Sequence, residues 1–138
     1  GAFVRPEGPL FLTGNTPGDD GPADYDDFGP RDEEFEEAIW PSLYHRIPDF
    51  DALKVQTRWT GHYEMNTMDH NGIVGWAPDV TNFMFCNGFS GHGLQQSPAT
   101  GRGVMELIVH GGFRTLDLSP MAYERVPANQ PFMEDAVI

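Results

Sequence analysis

The alternation of hydrophobic and polar residues predicts several short strands separated by turns. Residues 2–5 and 10–13 are short apolar runs on either side of a Pro-Glu-Gly-Pro turn, which predicts a β-hairpin. Residues 54–67 alternate over a longer stretch, which predicts a half-buried strand. Residues 73–76 and 82–86 predict two further strands.

Two other segments have helical spacing. Residues 32–44 begin with acidic side chains and then place apolar residues on one face. Residues 94–110 form the second predicted helix, which two glycines end. Its apolar face would consist of Leu94, Val104, Leu107 and Ile108. Either Ser97 caps this helix with Pro98 at its first position, or the helix begins near Gly93 with Pro98 in its first turns.

A glycine-rich turn joins the strand at residues 82–86 to the second helix. Glycine lets a flat ligand approach the main chain closely. The first N–H groups of a helix have no partner inside it, and that end of the helix carries a partial positive charge. The turn therefore either binds an anion or a site of developing negative charge, or needs its glycines only for geometry.

Composition narrows the functional classes. The chain has 138 residues with 21 acidic and 8 basic side chains, a formal net charge of −13. This charge argues against binding nucleic acid or an anionic membrane surface. No stretch is long and apolar enough to predict membrane insertion. The single cysteine, Cys86, excludes an internal disulfide; we expect a buried, inert thiol and a cytoplasmic protein.

Candidate metal ligands are scattered along the chain. The acidic loop at residues 15–31 lacks the order of a calcium-binding loop, and a solvated acidic face is favoured. The histidines, Cys86 and Asp69 lack the short paired spacing of zinc sites. We therefore expect no metal.

The glycine turn resembles the flavin-contacting segment of the FAD-dependent D-amino-acid oxidase superfamily, which includes sarcosine oxidases, glycine oxidases and dimethylglycine dehydrogenases. The matching residues, which the resemblance implies bind the cofactor, are Gly88, Phe89, Ser90, Gly91, His92, Gly93, Leu94 and Gln95. Residues 59–75 resemble the family's strand entering the active site, and Gly61 would also contact the cofactor. Residues 117–120 resemble its exit from the last helix.

The resemblance implies an α+β fragment of a two-domain flavoprotein. Residues 1–80 would belong to an antiparallel or mixed sheet of the substrate domain. Residues 81–112 would be the last strand–turn–helix of the FAD-binding domain, and residues 113–138 a tail. The G-x-G-x-x-G fingerprint that opens a dinucleotide-binding unit is absent. We therefore expect an N-terminal part of the same flavoprotein to be the partner that supplies most FAD contacts.

The resemblance also assigns catalytic candidates, Tyr63 and His92. Tyr63 stands where relatives that oxidise free amino acids often have Arg, which favours a secondary or N-methylated amine. Gly61 stands where some relatives attach flavin through Cys, which predicts non-covalent FAD. Gln95 replaces a Lys of some members, so oxidase and dehydrogenase both remain open. His92 either transfers a proton or packs beside the cofactor.

The function implied is oxidation of a small amine or (N-methyl) amino acid by hydride transfer to flavin N5. The fragment alone would be inactive. The alternative is a flavoprotein fold that serves as an assembly or interaction factor with little turnover, as one branch of the superfamily suggests.

Overall fold

The computed structural model describes residues 2–18 and 21–135. Residues up to His62 form one compact unit, and residues from Tyr63 onward form a second. Each unit has one two-stranded antiparallel sheet together with helical segments. The α+β class is therefore confirmed. The prediction left open an antiparallel or a mixed sheet. Both sheets in the described residues are antiparallel.

The first sheet is the predicted hairpin. Strand β1 (Phe3–Glu7) pairs with β2 (Leu10–Gly14), in a register that places Glu7 opposite Leu10. The two-residue connection suits this tight reversal because Gly8 has a φ of +59°. The hairpin prediction is thus confirmed, with each strand extending slightly beyond its expected bounds.

The first helical segment contains a widened turn. It runs through α1 (Asp32–Glu34), a π-helical stretch (Phe35–Ile39) and α2 (Trp40–Arg46). Pro41 has no N–H to donate, and its ring would clash with the carbonyl four residues earlier in a regular helix. The π-helical stretch directly before Pro41, with the Trp40 N–H bonded five residues back, avoids that clash.

A small apolar cluster lies beside α2. Phe50, in the 3-10 helix Pro48–Ala52, is buried, and its ring centroid is 4.8 Å from that of Phe11. The indole Nε1 of Trp40 donates to the Phe50 carbonyl at 3.2 Å. These contacts connect the hairpin, the helical segment and the 3-10 helix within the first unit.

The long strand expected at residues 54–67 is absent, which corrects the sequence prediction. Residues 53–66 belong to no helix or strand, and residues 54–65 are all exposed. Alternation predicts a strand only where another strand supplies ladder hydrogen bonds, and none does so within the described parts of the chain. In place of a ladder, side chains of this segment bond to residues earlier in the first unit; Arg58, for example, forms an ion pair with Asp32.

The second unit is built around its own hairpin. Strand β3 (Ile73–Trp76) pairs with β4 (Met84–Asn87). Both strands were predicted, β4 at residues 82–86, but their pairing was not. Val74 is completely buried and packs with two residues from later in the chain, Phe89 and Met121. Cys86 is exposed, so the prediction of a buried thiol is wrong; it stands opposite Val74 in the register but contributes nothing to the buried core.

Helix α3 runs from Gly93 to His110, so Pro98 lies inside it. Of the two predicted starts, the one near Gly93 is therefore confirmed. Ser97 donates to the Leu94 carbonyl at 2.8 Å and so does not cap the start. Gly111 ends the helix with a φ of +68°, as predicted. Within the described residues, no helix is long and apolar enough to cross a membrane.

The buried face of α3 differs from the predicted apolar face. Leu94 and Ile108 are exposed, whereas Thr100, Gly103 and Glu106 are buried. A Cβ at Gly103 would lie 2.5 Å from a methyl carbon of Leu118. The helix therefore packs through a close contact at Gly103 and through the buried polar side chain of Glu106. The spacing of apolar residues alone does not predict such contacts.

A buried ion pair joins three separate segments of the second unit. The guanidinium of Arg125 donates to both carboxylate oxygens of Asp69, at 2.7 and 3.1 Å. Arg125 also donates to the carbonyls of Asn71, Gly72 and Met121. Asp69 accepts from the N–H of Phe132 at 3.0 Å. Burial alone would raise the pKa of Asp69, but these hydrogen bonds and the Arg125 charge outweigh it and lower the pKa.

A second buried carboxylate fixes the chain after α3. Glu106 accepts from the side chain of Thr115, from the N–H groups of Arg114 and Thr115, and from Arg102 one turn earlier. These hydrogen bonds, that of the Thr115 hydroxyl foremost, lower the pKa of Glu106 from 4.5 to about 2. The segment that follows the helix is thereby held against it.

Removing the charge of Asp69 is expected to destabilise the second unit strongly. Asp69→Asn leaves the buried Arg125 guanidinium without a counter-charge, which costs about 3–5 kcal/mol. Glu7→Gln is the matched control, because it breaks the exposed pair of Arg5 and Glu7, 3.1 Å apart, and should cost under ~1 kcal/mol. Urea denaturation measures both, and equal losses would contradict the structural role of Asp69.

Glu106 should make stability depend on acid pH. Its pKa is lower in the folded state, so the stabilisation is fully present above pH 4.5 and is lost as the pH falls toward about 2. Glu106→Gln should therefore flatten the dependence of unfolding free energy on pH within that window. The exposed Glu124→Gln serves as control. An unchanged slope in Glu106→Gln would show that the carboxylate is not the titrating group.

Candidate functional site

The glycine turn occupies residues 88–92, between β4 and α3. Gly88 and Gly91 have φ values of +78° and +90°, which explains why glycine stands at both positions. Ser90 also has a positive φ, 50°, although it carries a side chain. Gly88, Phe89 and Ser90 are buried, and the Phe89 ring belongs to the core of the second unit. The turn is thus a fixed part of the fold.

Two residues of the irregular segment before β3 hold this turn. One carboxylate oxygen of Glu64 accepts the N–H groups of Gly88 and Phe89, each at 3.1 Å. The N–H of Asn66 donates to Ser90 Oγ at 3.0 Å. A non-glycine residue with positive φ is costly unless its surroundings fix it, and the bond from Asn66 does so at Ser90.

The start of α3 presents a group of free donors. Gly93, Leu94 and Gln95 are its first three residues, so their N–H groups have no acceptor inside the helix. No other acceptor reaches them among the residues that the structure describes, and no side chain caps the helix. Leu94 is 86% exposed, so this end is accessible. The arrangement can bind an anion or stabilise developing negative charge.

His92 immediately precedes these donors. Its Nδ1 is buried, yet it has no hydrogen-bond partner within residues 2–18 and 21–135. Buried polar atoms in folded proteins are nearly always paired, so an orphaned one indicates a missing partner. The His92 backbone is itself well placed, with its N–H bonded to the Phe89 carbonyl at 2.9 Å.

The two remaining candidates lie earlier in the chain. Tyr63 is 36% exposed and directly precedes Glu64, which binds the turn. Gly61 belongs to the first compact unit, is exposed, and has no atom within 4 Å of an added Cβ. Their roles in catalysis and cofactor binding, like that of the turn, remain predictions.

Sequence reasoning missed Glu64 and Asn66. Both were assigned to alternating positions of a strand, and neither was considered a partner of the glycine turn. A detectable signal is the Glu-x-Asn spacing, which places an acceptor and a second polar residue on one side of an extended segment. Among the described residues, no group of three or more His, Cys, Asp or Glu side chains could hold a metal ion.

Comparison with known proteins identifies several relatives of this chain. A protein of Xenopus laevis called FAD-dependent oxidoreductase domain-containing protein 1 is 45% identical over the whole chain, which covers 28% of that protein. The Bos taurus protein of the same name is 41% identical over the whole chain and 29% of its own length. Gamma-glutamylputrescine oxidoreductase of Escherichia coli is 30% identical over 59% of the chain and 18% of its own length.

The chain therefore spans less than a third of the length of these relatives. No solved structure matches it. The model of the family described as FAD dependent oxidoreductase matches residues 1–107, which include the glycine turn and most of α3. On this evidence, the chain belongs to the FAD-dependent oxidoreductase family.

Proposed function

We propose that this chain forms part of the flavin site of an oxidoreductase that oxidises a small amine or N-methyl amino acid. The observation that carries the proposal is the set of unpartnered donors at Gly93, Leu94 and Gln95, at the accessible start of α3 directly after the glycine turn. The names of the relatives favour an oxidoreductase over an assembly or interaction role.

The residues present fit FAD. The chain offers main chain without bulky side chains at Gly91 and Gly93, and an added Cβ at Gly93 would meet only ordinary contacts with Phe89 at 3.6 Å. The orphaned Nδ1 of His92 supplies a further polar group for a bound ligand. FAD, when bound, supplies the acceptor for the two electrons removed from a C–H bond beside the substrate nitrogen.

The donors at the start of α3 would stabilise the negative charge that develops on the pyrimidine side of the flavin. A helix terminus contributes about 0.3–1 kcal/mol when exposed and up to ~2 kcal/mol when partly buried. One preorganised donor aimed at developing charge can contribute roughly 3 kcal/mol. Gln95 adds a neutral side-chain donor where some relatives have a cation.

His92 is placed to orient the ligand. With its backbone fixed by the Phe89 carbonyl and its Nδ1 unpaired, the ring can donate or accept one hydrogen bond at a defined position. Such a bond would hold either the cofactor or the substrate. A proton-transfer role needs the same atom within hydrogen-bond distance of the reacting group.

The substrate class follows from Tyr63 and one relative. Relatives that oxidise free amino acids often have an Arg at this position, which can form bidentate hydrogen bonds to the substrate carboxylate. Tyr63 provides no positive charge for such a carboxylate. The Escherichia coli relative is named for gamma-glutamylputrescine, which is an amine. Tyr63 supports a secondary or N-methylated amine, and this name supports an amine in general, as substrate of the whole protein.

Flavin retention tests the proposed site. In the full-length protein, Gly93→Leu should abolish the visible absorbance of bound flavin, because a long side chain beside Phe89, 3.6 Å from a Cβ at this position, would crowd the turn next to the donors. Gly93→Ala is the matched control and should keep both the fold and part of the flavin. A Gly93→Leu protein that is folded and retains normal flavin would exclude this site.

Amine oxidation tests the proposed reaction. Anaerobic mixing of the full-length flavoprotein with a panel of primary, secondary and N-methyl amines should bleach the flavin for at least one secondary amine. The corresponding free amino acids should bleach it more slowly, because Tyr63 carries no charge. Failure of every amine to reduce a flavin that dithionite reduces would contradict the proposed activity.

A further inference from the structure

The side chain of Glu64 hydrogen-bonds to the main chain of the glycine turn. One of its carboxylate oxygens accepts two consecutive backbone N–H groups of the glycine turn, from Gly88 and Phe89, both at 3.1 Å. We propose that Glu64 is a positioning residue for the flavin, acting through the turn rather than by touching the cofactor. The inference rests on the proposed function of the turn.

Two adjacent N–H groups that share one acceptor must point to the same place, so the bond fixes the peptide planes at the start of the turn. Gly88 has a φ of +78° and could otherwise adopt many conformations. Two residues later, Ser90 is fixed by the N–H of Asn66 at 3.0 Å. The turn is thereby held at two points before it enters α3.

This arrangement sets where the free donors point. Gly93, Leu94 and Gln95 follow the turn directly, and the direction of their N–H groups depends on its conformation. Donors stabilise developing charge best when they are already oriented and need not reorganise. Glu64 thus acts as an outer support for donors that would contact the flavin.

Glu64 contributes no side chain to the buried core, although it bonds to the main chain of Phe89. Its side chain is exposed, whereas the second unit depends on buried Val74, Phe89 and Met121 and on the pair of Asp69 with Arg125. Substitution of Glu64 should therefore alter the turn and leave most of the unit intact.

The acceptor geometry matters here rather than the charge. FAD carries negative charge on its pyrophosphate, and the start of α3 suits an anion, so a carboxylate nearby does not serve to attract the cofactor. A glutamine keeps an oxygen at the same distance along the side chain and can still accept both N–H groups. An aspartate keeps the charge but is shorter by one methylene.

The experiment compares Glu64→Gln, Glu64→Asp and Glu64→Ala in the full-length protein, with Glu124→Ala as an exposed control in the same unit. Each apoprotein is titrated with FAD, visible circular dichroism of the bound flavin is recorded, and thermal unfolding is measured without FAD. Loss of bonds to a charged acceptor should weaken FAD binding by roughly tenfold or more in Glu64→Asp and Glu64→Ala.

Glu64→Gln and Glu124→Ala should bind FAD within about threefold of the wild type, a difference well under 1 kcal/mol. The flavin dichroism should change in Glu64→Asp even at saturating FAD. If Glu64→Ala fails to fold, the Gln and Asp variants still decide the question.

Equal affinities of the Gln and Asp variants for FAD would overturn the inference, and so would weaker binding by Gln alone. A lower unfolding temperature of Glu64→Asp with unchanged FAD affinity and dichroism would also overturn it, because it would indicate a purely structural role. A wild-type protein that binds no FAD would instead overturn the proposed function, and this inference with it.

Discussion

The second unit depends on the requirement that a buried charge be paired. Arg125 is 6% exposed and Asp69 is fully buried, so neither could remain charged without the other. The paired side chains also form hydrogen bonds with nearby backbone groups. Arg125 donates to the carbonyls of Asn71 and Gly72, and Asp69 accepts from the N–H of Phe132. Three distant parts of the chain must therefore meet at one point. The glycine turn lies within the same unit, and its support from Asn66 begins three residues before Asp69.

The site combines rigid backbone with unused hydrogen-bonding capacity. Glu64 accepts the N–H groups at the start of the turn, and Asn66 donates to the Ser90 hydroxyl. The N–H groups of residues 93–95 and Nδ1 of His92 have no partner in the described chain. Under the proposed function, the division between satisfied and unsatisfied donors would mark the boundary of the flavin site, with the orphaned Nδ1 of His92 beside it.

Local signals made several parts of the structure predictable. Glycine and proline defined the first hairpin and the end of α3 at Gly111, because each demands a particular backbone conformation. The failures share a different cause. The strand expected at residues 54–67 needed a partner that alternation cannot supply, and the helix face built on Leu94 and Ile108 ignored contacts made through Gly103 and Glu106. Glu64 was missed because its partner lies 24 residues away.

The same ion pair affects the order in which the protein can fold during synthesis. Asp69 leaves the ribosome 56 residues before Arg125, and 63 residues before the N–H of Phe132. Until then its carboxylate stays hydrated, since burial without a partner would be unfavourable. Contacts between residues so distant in sequence form slowly. The nascent glycine turn therefore cannot reach its final surroundings before residues 121–132 are made, and until then it stays exposed to solvent.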